Sequence, residues 1–368
     1  MSPRRIVVKV GSSTLRAEDG GLDLDLARSL VQQLARIHAR GDSPVLVSSG
    51  AIAAGLARLG IAERPTDMPS LQAAASVGQV ALIEMYAALF AEAGISVGQV
   101  LLTRHDTGHR ESYLHARDTF ERLMALRAVP VVNENDTVAV DEIRFGDNDT
   151  LAALVGTMIG ADMVVLLSDI AGLYDADPRF CDAPQLLADV HELTDELIAA
   201  AGGSGSDVGS GGMVTKLEAA RVLMRAGIPM VVCDGRRENV IIDAADGAGG
   251  GGTRFAPGQD TLKARKAWIA LGRKPVGDVV IDDGARIALV ERHTSLLPAG
   301  VVDVVGSFAV GDAVVLKDSS GAVVARGLAG LSADELRLVK GLKKSEIAAD
   351  YPHLAGKEVV HRDRLAIL

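Results

Sequence analysis

Two lysines raise the question of chemistry. Lys9 stands inside the apolar run RRIVVKV (4–10), where an amine is rarely tolerated unless it reaches a partner or snorkels from the sheet end. Lys216 closes a glycine-rich run, VGSGGMVTK (208–216), that leads into the helical pattern Leu217-Glu218-Ala219-Ala220. Such a run lets backbone amides face an anion at a helix N-terminus. It is not a Walker A loop, because Thr215 precedes Lys216 instead of following it. Two cations beside glycines suit phosphoryl transfer, which asks the protein mainly for positive charge around the moving group. A mobile Gly-Ser loop and a snorkelling side chain are the plain alternatives.

Two acid-and-amide clusters supply a second chemistry. Asn133-Glu134-Asn135-Asp136 follows the apolar strand AVPVV (128–132), and Gly146-Asp147-Asn148-Asp149-Thr150 opens an apolar helical run. Amides mixed with the acids do not fit the paired carboxylates of a glycosidase. They suit a small zwitterion: Asp136 can accept from an ammonium, and Asn133 and Asn148 can donate to a carboxylate or accept from an amine. Asp149 can orient both lysines electrostatically. Ser168-Asp169, after Val164-Val165-Leu166-Leu167, is placed to contact a nucleotide. Each cluster can also serve as a turn or helix cap.

The elements that must position these residues alternate between strand and helix. Runs 4–10, 44–47, 97–102, 129–132, 163–167 and 229–233 read as strands, and 25–40, 69–93, 115–127 and 212–226 as helices. Alternation of this kind predicts an α/β fold, a mostly parallel sheet with helices on both faces. Ligands then sit beyond the carboxyl ends of the strands. The polar punctuation falls there: Lys9 to Ser12, Ser48-Ser49-Gly50, Asn133 to Asp136, and Ser168-Asp169. Beyond about residue 275 short Val-rich runs recur between Gly and Asp-Gly turns (278–281, 285–289, 301–305, 313–316, 322–325), the texture of a small β-barrel. The domain reading is a catalytic domain over 1–258, a linker over 259–275, a small β domain over 276–354 and a tail over 355–368.

Composition narrows the class. The chain has 368 residues and a net charge of −10, which argues against a protein built to coat nucleic acid. Cys181 and Cys233 form neither a disulfide framework nor a metal spacing, so a cytoplasmic protein with reduced thiols is expected. His105 and His109 are four apart, with Gly108 between them and no cysteine near, so no protein-held metal is expected. The N-terminal MSPRRIVVKVG lacks the apolar core of a signal peptide, and the greasy stretch 151–167 is broken by Asp162, so no membrane span is expected.

Taken in order, VVKVGSS, VSSGAIAAG, QAAASVGQ, LLTR, YLHARDT, PVVNENDTVA, GDNDTLAALV, LLSDIAGLYDADPR and GSGGMVTKLEAA resemble the glutamate 5-kinases, the proline-biosynthesis branch of the amino acid kinase family. The tail carrying SLLPAGVVDVVGSF resembles the PUA domain of bacterial members. The resemblance implies a three-layer amino acid kinase-like sandwich and ATP-dependent phosphorylation of the γ-carboxylate of L-glutamate, with Mg²⁺ accompanying the nucleotide. By resemblance Lys9 and Lys216 stabilise the transferring group, with Asp149 positioning them. Ser49, Asn133, Asp136 and Asn148 hold glutamate, with Asp147 nearby. The nucleotide lies against Lys9, Ser168, Asp169 and the run Ser210, Gly211, Gly212, Met213, Val214, Thr215, Lys216. Family members commonly carry Thr where Ser168 and Ser210 stand. The resemblance further implies a dimer or tetramer, proline as feedback inhibitor, and handover of product to glutamyl phosphate reductase.

Two other readings stand beside it. One is a different carboxylate-phosphorylating kinase, acting on acetylglutamate or aspartate, or a carbamate kinase. The other is an RNA-binding PUA protein. Residues 276–354 carry 8 Lys and Arg against 11 Asp and Glu, a net charge of −3, which disfavours a phosphate-backbone footprint outside the local run Lys340-Gly341-Leu342-Lys343-Lys344.

Overall fold

A computed structural model describes residues 3–17, 21–103, 110–138, 148–176, 181, 183–194, 196–198, 212–247, 251–258 and 275–367. Its first strand, β1 (Arg5–Val10), is rich in β-branched side chains and buried on both faces, the composition of a central parallel strand. It pairs in parallel with β2 (Ser43–Val47) on one side and β5 (Met163–Ser168) on the other. With β3 (Val97–Leu102), β4 (Val129–Glu134), β6 (Asp189–Val190), β7 (Met230–Asp234) and β8 (Thr253–Phe255) they form an eight-stranded sheet, order β3-β4-β2-β1-β5-β7-β8-β6. Only the β7–β8 ladder is antiparallel. The chain runs from β1 through β2 out to the edge strand β3, returns to β4 between β3 and β2, and then crosses to β5 on the far side of β1, so β1 is where the winding changes direction. That is where open α/β sheets place ligands.

Alternation along the strands sorts the helices into two layers. Ile6, Val8, Val10, Leu46, Val131, Val165 and Val231 share one core with α1 (Leu24–Ala39), α2 (Ala51–Leu59), α3 (Met68–Ala91) and a short helix, 240–245. The opposite face, with Val7, Val45, Val164 and Leu166, packs against α5 (Asn148–Ile159); α4 (Arg110–Ala125) and α6 (Met213–Arg225) lie against α5 in the same layer. The result is the expected three-layer α/β sandwich. Local chemistry sets the helix starts: Asp23 caps α1 through Leu26 N, and Asp67 caps α3 through Ser70 N.

Among the described residues α3 is the one helix long and apolar enough to cross a bilayer, with a mean hydropathy of 1.5. In this fold it packs against α1 and α2. Gly55 of α2 and Gly78 of α3 are what permit the closeness. A methyl on Gly55 would lie 1.7 Å from the Ala74 carbonyl oxygen, and one on Gly78 would lie 1.7 Å from that of Ala51.

The chain divides into two compact units, Met1–Thr261 and Leu262–Leu368. The second holds its own five-stranded sheet of β9 (Gly277–Ile281), β10 (Val301–Gly306), β11 (Ala313–Lys317), β12 (Val323–Leu328) and β13 (Leu365–Ile367), in the order β10-β9-β11-β12-β13. Its core gathers Val279, Ile281, Val314, Leu316, Ala325 and Leu365. β13 comes from the segment read as a tail, and it pairs antiparallel with β12. One run departs from its expected type: 285–289, read as a strand, lies in a helix, Asp283–Val290. Asp282 accepts from Ala285 N at 2.7 Å and starts a helical turn that the apolar alternation alone does not reveal. In the basic run of this unit, Lys340 is committed to Asp303 at 2.6 Å.

Because the obstacle at Gly78 is backbone that no rotamer change can clear, Gly78→Ala is expected to cost about 3 kcal/mol, an overpacking penalty at the upper end of the usual range. Urea unfolding of variant and parent checks this, and equal midpoints would contradict the close crossing.

Candidate active site

The alternation that buries Val8 and Val10 against one layer turns Val7 and Lys9 to the other, the layer of α5 and α6. Lys9 is 5 % exposed, Lys216 4 % and Asp149 not at all. Lys9 Nζ donates to Asp149 Oδ1 at 2.6 Å, and Lys216 Nζ donates to Asp149 Oδ2 at 3.0 Å. Thr215 Oγ1 lies 3.1 Å from the same Oδ2 and 2.7 Å from Gly212 O, so its one proton serves either acceptor in turn. Burial alone would push the Asp149 carboxyl up; the charges and hydrogen bonds of Lys9 and Lys216 overcome it and hold the group well below the usual carboxylate range. One carboxylate between two ammonium groups leaves a net positive charge at the end of β1, where an anionic group is stabilised.

The next side chain on α5 faces a different set of partners. Asn148 Nδ2 lies 2.5 Å from Ser48 O, 2.9 Å from Ser49 Oγ and 2.8 Å from Asn133 Oδ1, so its two protons are shared among three acceptors. Asn133 Oδ1 also accepts from Glu134 N at 2.9 Å. Two donors on one atom identify that atom as the carbonyl oxygen, so the orientation of the Asn133 amide is fixed. Its Nδ2 is buried and has no hydrogen-bond partner among the described residues. An orphaned buried donor is costly, and a carboxylate from a ligand would satisfy it. Gly50, at φ 95°, turns the chain from the end of β2 into α2 and leaves Ser48-Ser49 beside Asn148. Asp136 is half-buried after β4.

At the end of β5, Ser168 is buried and Asp169 exposed, with Ser168 Oγ donating to Asp169 Oδ1 at 3.2 Å. The backbone there is pinned by β7, since Gly235 N donates to Ser168 O at 2.9 Å. α6 starts from Gly212 with no side-chain cap, and Met213, Val214 and Thr215 form its first turn. A helix start of this kind suits phosphate. Asp147, Ser210 and Gly211 lie outside the described residues.

The thirteen expected residues that are described thus lie at or just beyond the carboxyl ends of β1, β2, β4 and β5, or at the amino ends of α5 and α6. Ser48, Gln79, Tyr86 and Thr14 were not singled out from sequence. Ser48 supplies its carbonyl to Asn148 and its hydroxyl to Tyr86 at 3.0 Å. Gln79 Nε2 donates to Glu134 O at 3.1 Å. Thr14 Oγ1 is buried beside Gly11 and has no hydrogen-bond partner among the described residues. A buried glutamine and tyrosine seven residues apart on an apolar helix were the available signal for two of these.

Among the described residues no cluster of three or more His, Cys, Asp or Glu is arranged to hold a metal. Asp149, the buried carboxylate, is taken up by the lysines. This donor set fits a divalent cation carried by phosphate oxygens and water, as nucleotide-bound Mg²⁺ commonly is.

The chain is 43 % identical to a glutamate 5-kinase of Caldanaerobacter subterraneus subsp. tengcongensis, over 99 % of this chain and 98 % of that one. It is 49 % identical to the glutamate 5-kinase of Streptomyces coelicolor, over 99 % of this chain and 96 % of the relative. In shape it is similar to the UMP kinase of Ureaplasma parvum, with a TM-score of 0.47 at 14 % identity, over 70 % of this chain and 100 % of that one. Residues 277–351 match the PUA domain. Residues 4–234, which carry every described member of the site, match the amino acid kinase family, and the chain belongs to that family.

Proposed function

We propose that this protein is a glutamate 5-kinase, transferring the γ-phosphoryl group of ATP to the γ-carboxylate of L-glutamate. The observation that carries the reading is a single turn of helix. Asn148 and Asp149 are consecutive, and one reaches an amide-lined pocket while the other holds two buried lysines. An amino-acid pocket and a phosphoryl-stabilising charge thereby share one rigid element. Close similarity to glutamate 5-kinases along the whole chain supports the same substrate.

The chemistry needs no general base. The γ-carboxylate is already ionised near neutral pH. One of its oxygens attacks the γ-phosphorus; the bond to the β,γ-bridging oxygen breaks and ADP leaves with that electron pair. Lys9 and Lys216 neutralise charge on the equatorial and bridging oxygens, and Asp149 fixes where the ammonium groups stand. Mg²⁺ bound with the nucleotide supplies further charge neutralisation on the phosphates. Asn133, Asn148 and Ser49 orient glutamate, with Asp136 and Asp147 toward its amine. Ser168, Asp169 and the run 210–216 take the nucleotide.

Three further features belong to this reading. Proline carries the same α-carboxylate and amine as glutamate, so it competes at the Asn133–Asn148 pocket. The chain works as a dimer or tetramer. The acyl phosphate is labile, and its consumer is glutamyl phosphate reductase. A glutamate saturation curve unmoved by proline would remove the first of these.

The direct test is glutamate-dependent ADP release with hydroxylamine present. Hydroxamate is expected to form in step with ADP for glutamate, and aspartate and acetylglutamate should give little. Hydroxamate from either of those two in preference would transfer the reading to another branch of the family.

Lys216→Ala is expected to lower kcat by about a hundredfold or more while the protein stays folded, since it removes charge needed mainly in the transition state. Full activity in the variant would refute the role.

Asp149→Asn leaves two buried ammonium groups facing each other, and a loss of about 3 kcal/mol of stability is expected. A carboxyl held below its ordinary range contributes its ion pairs above the unfolded value of about 3.9, and loses them as pH falls through the folded value. The melting-temperature gap between wild type and Asp149→Asn should therefore be constant from about pH 8 to 5 and close only at lower pH. A gap that closes near neutrality would contradict the ion-pair account.

A further inference from the structure

Three side chains of helix α3 are hydrogen-bonded to the segments that carry Ser49, Asn133 and Asp136. Ser76 Oγ lies 3.1 Å from Thr137 Oγ1, in the turn that carries Asp136. Gln79 Nε2 donates 3.1 Å to the carbonyl of Glu134, the residue after Asn133. Tyr86 OH lies 3.0 Å from Ser48 Oγ. Because Ser48 Oγ donates to Ser49 O at 3.2 Å, its single proton is committed and Tyr86 is the donor. Spacings of three and seven residues bring these side chains to one side of the helix. Val80, next to Gln79, is 50 % exposed and takes no part.

From this arrangement we infer that Gln79 is a positioning residue for the amino-acid substrate, with Tyr86 of the same helix as its companion at the end of β2. The backbone of Glu134 is held at both of its polar groups. Its N–H donates to the Asn133 side chain, and its carbonyl, in the next peptide unit, accepts from Gln79. The orphaned Nδ2 of Asn133 can aim at a ligand carboxylate only while that backbone keeps its orientation. On the other wall, Tyr86 steadies Ser48, whose carbonyl locks Asn148. A buried primary amide in an otherwise apolar helix face has no packing advantage over leucine or methionine. Its value lies in the donor it presents. Neither residue faces the lysines, so the effect falls on the amino acid and leaves the nucleotide alone.

The inference rests on the kinase reading above, and the test separates the two through its wild-type arm. Steady-state KM values for glutamate and for ATP are measured for wild type, Gln79→Met, Gln79→Glu, Tyr86→Phe and the control Val80→Ala. Gln79→Met should raise KM for glutamate about tenfold and leave KM for ATP within about twofold. Tyr86→Phe, which keeps the ring and loses the donor, should shift KM in the same direction by a smaller factor, and it carries the test if Gln79→Met fails to fold. Val80→Ala should match wild type. Gln79→Glu supplies the discriminating signature. A carboxylate cannot donate to Glu134 O, but a protonated carboxyl can, so its KM for glutamate should improve as pH is lowered, relative to Gln79→Met. Unchanged KM for glutamate in both Gln79→Met and Tyr86→Phe overturns the inference. So does a parallel rise in both KM values, the mark of general loosening, or a Gln79→Glu profile that runs parallel to that of Gln79→Met. A wild type that shows ATP turnover with no dependence on glutamate overturns the parent reading and this one with it.

Discussion

A carboxylate with no exposure to water, held between two ammonium groups, is the interaction on which this site depends. Removing three charges from solvent costs several kcal/mol for each, and replacing such a group with packed apolar side chains is often stabilising. Its presence is therefore better explained by what it places than by the stability it adds. Lys9 is 140 residues from Asp149 in sequence and Lys216 is 67 away, so one carboxylate joins three distant parts of the chain at a single point. Without that carboxylate the two amines would repel and diverge. With it both amines are held within 3.0 Å of one carboxylate.

The first turn of α5 sets the distance between the amide cluster and the buried charges. Consecutive side chains on a helix diverge by about 100°, and each residue advances about 1.5 Å. Asn148 and Asp149 therefore face two compartments whose separation is fixed by helix geometry. Every residue of α5 from Asn148 to Ile159 is buried, and the helix lies against β1, β2, β4 and β5. A helix clamped in this manner cannot tilt to suit one ligand without disturbing the other. This is the kind of preorganisation on which electrostatic catalysis relies.

Much of this was legible in the sequence because strand alternation and glycine punctuation are local signals. Lys9 in an apolar strand, and amide clusters at strand ends, needed only the period of two to be assigned to one edge. Their convergence required topology, which the alternation of strands and helices supplied. What escaped notice had no local signature. Gln79 and Tyr86 belong to an apolar helix whose buried side cannot be told from its exposed side by hydrophobicity, and their partners come from β2 and β4. The helix at Asp283–Val290 escaped for the opposite reason: a cap at Asp282 outweighed an apolar alternation that resembles a strand.

The glycine crossing of α2 and α3 has a mechanical corollary. Where a hydrogen atom on Gly55 or Gly78 is all that separates one backbone from a facing carbonyl, the two helices interlock as a key does in a slot. Sliding one along the other would drive each carbonyl into the next, bulkier residue. The pair therefore travels as one body, joined to the ends of β2 and β4 by its polar side chains. The other layer is held as firmly, since α5 is buried along its whole length and is joined to α6 through Asp149, Thr215 and Lys216.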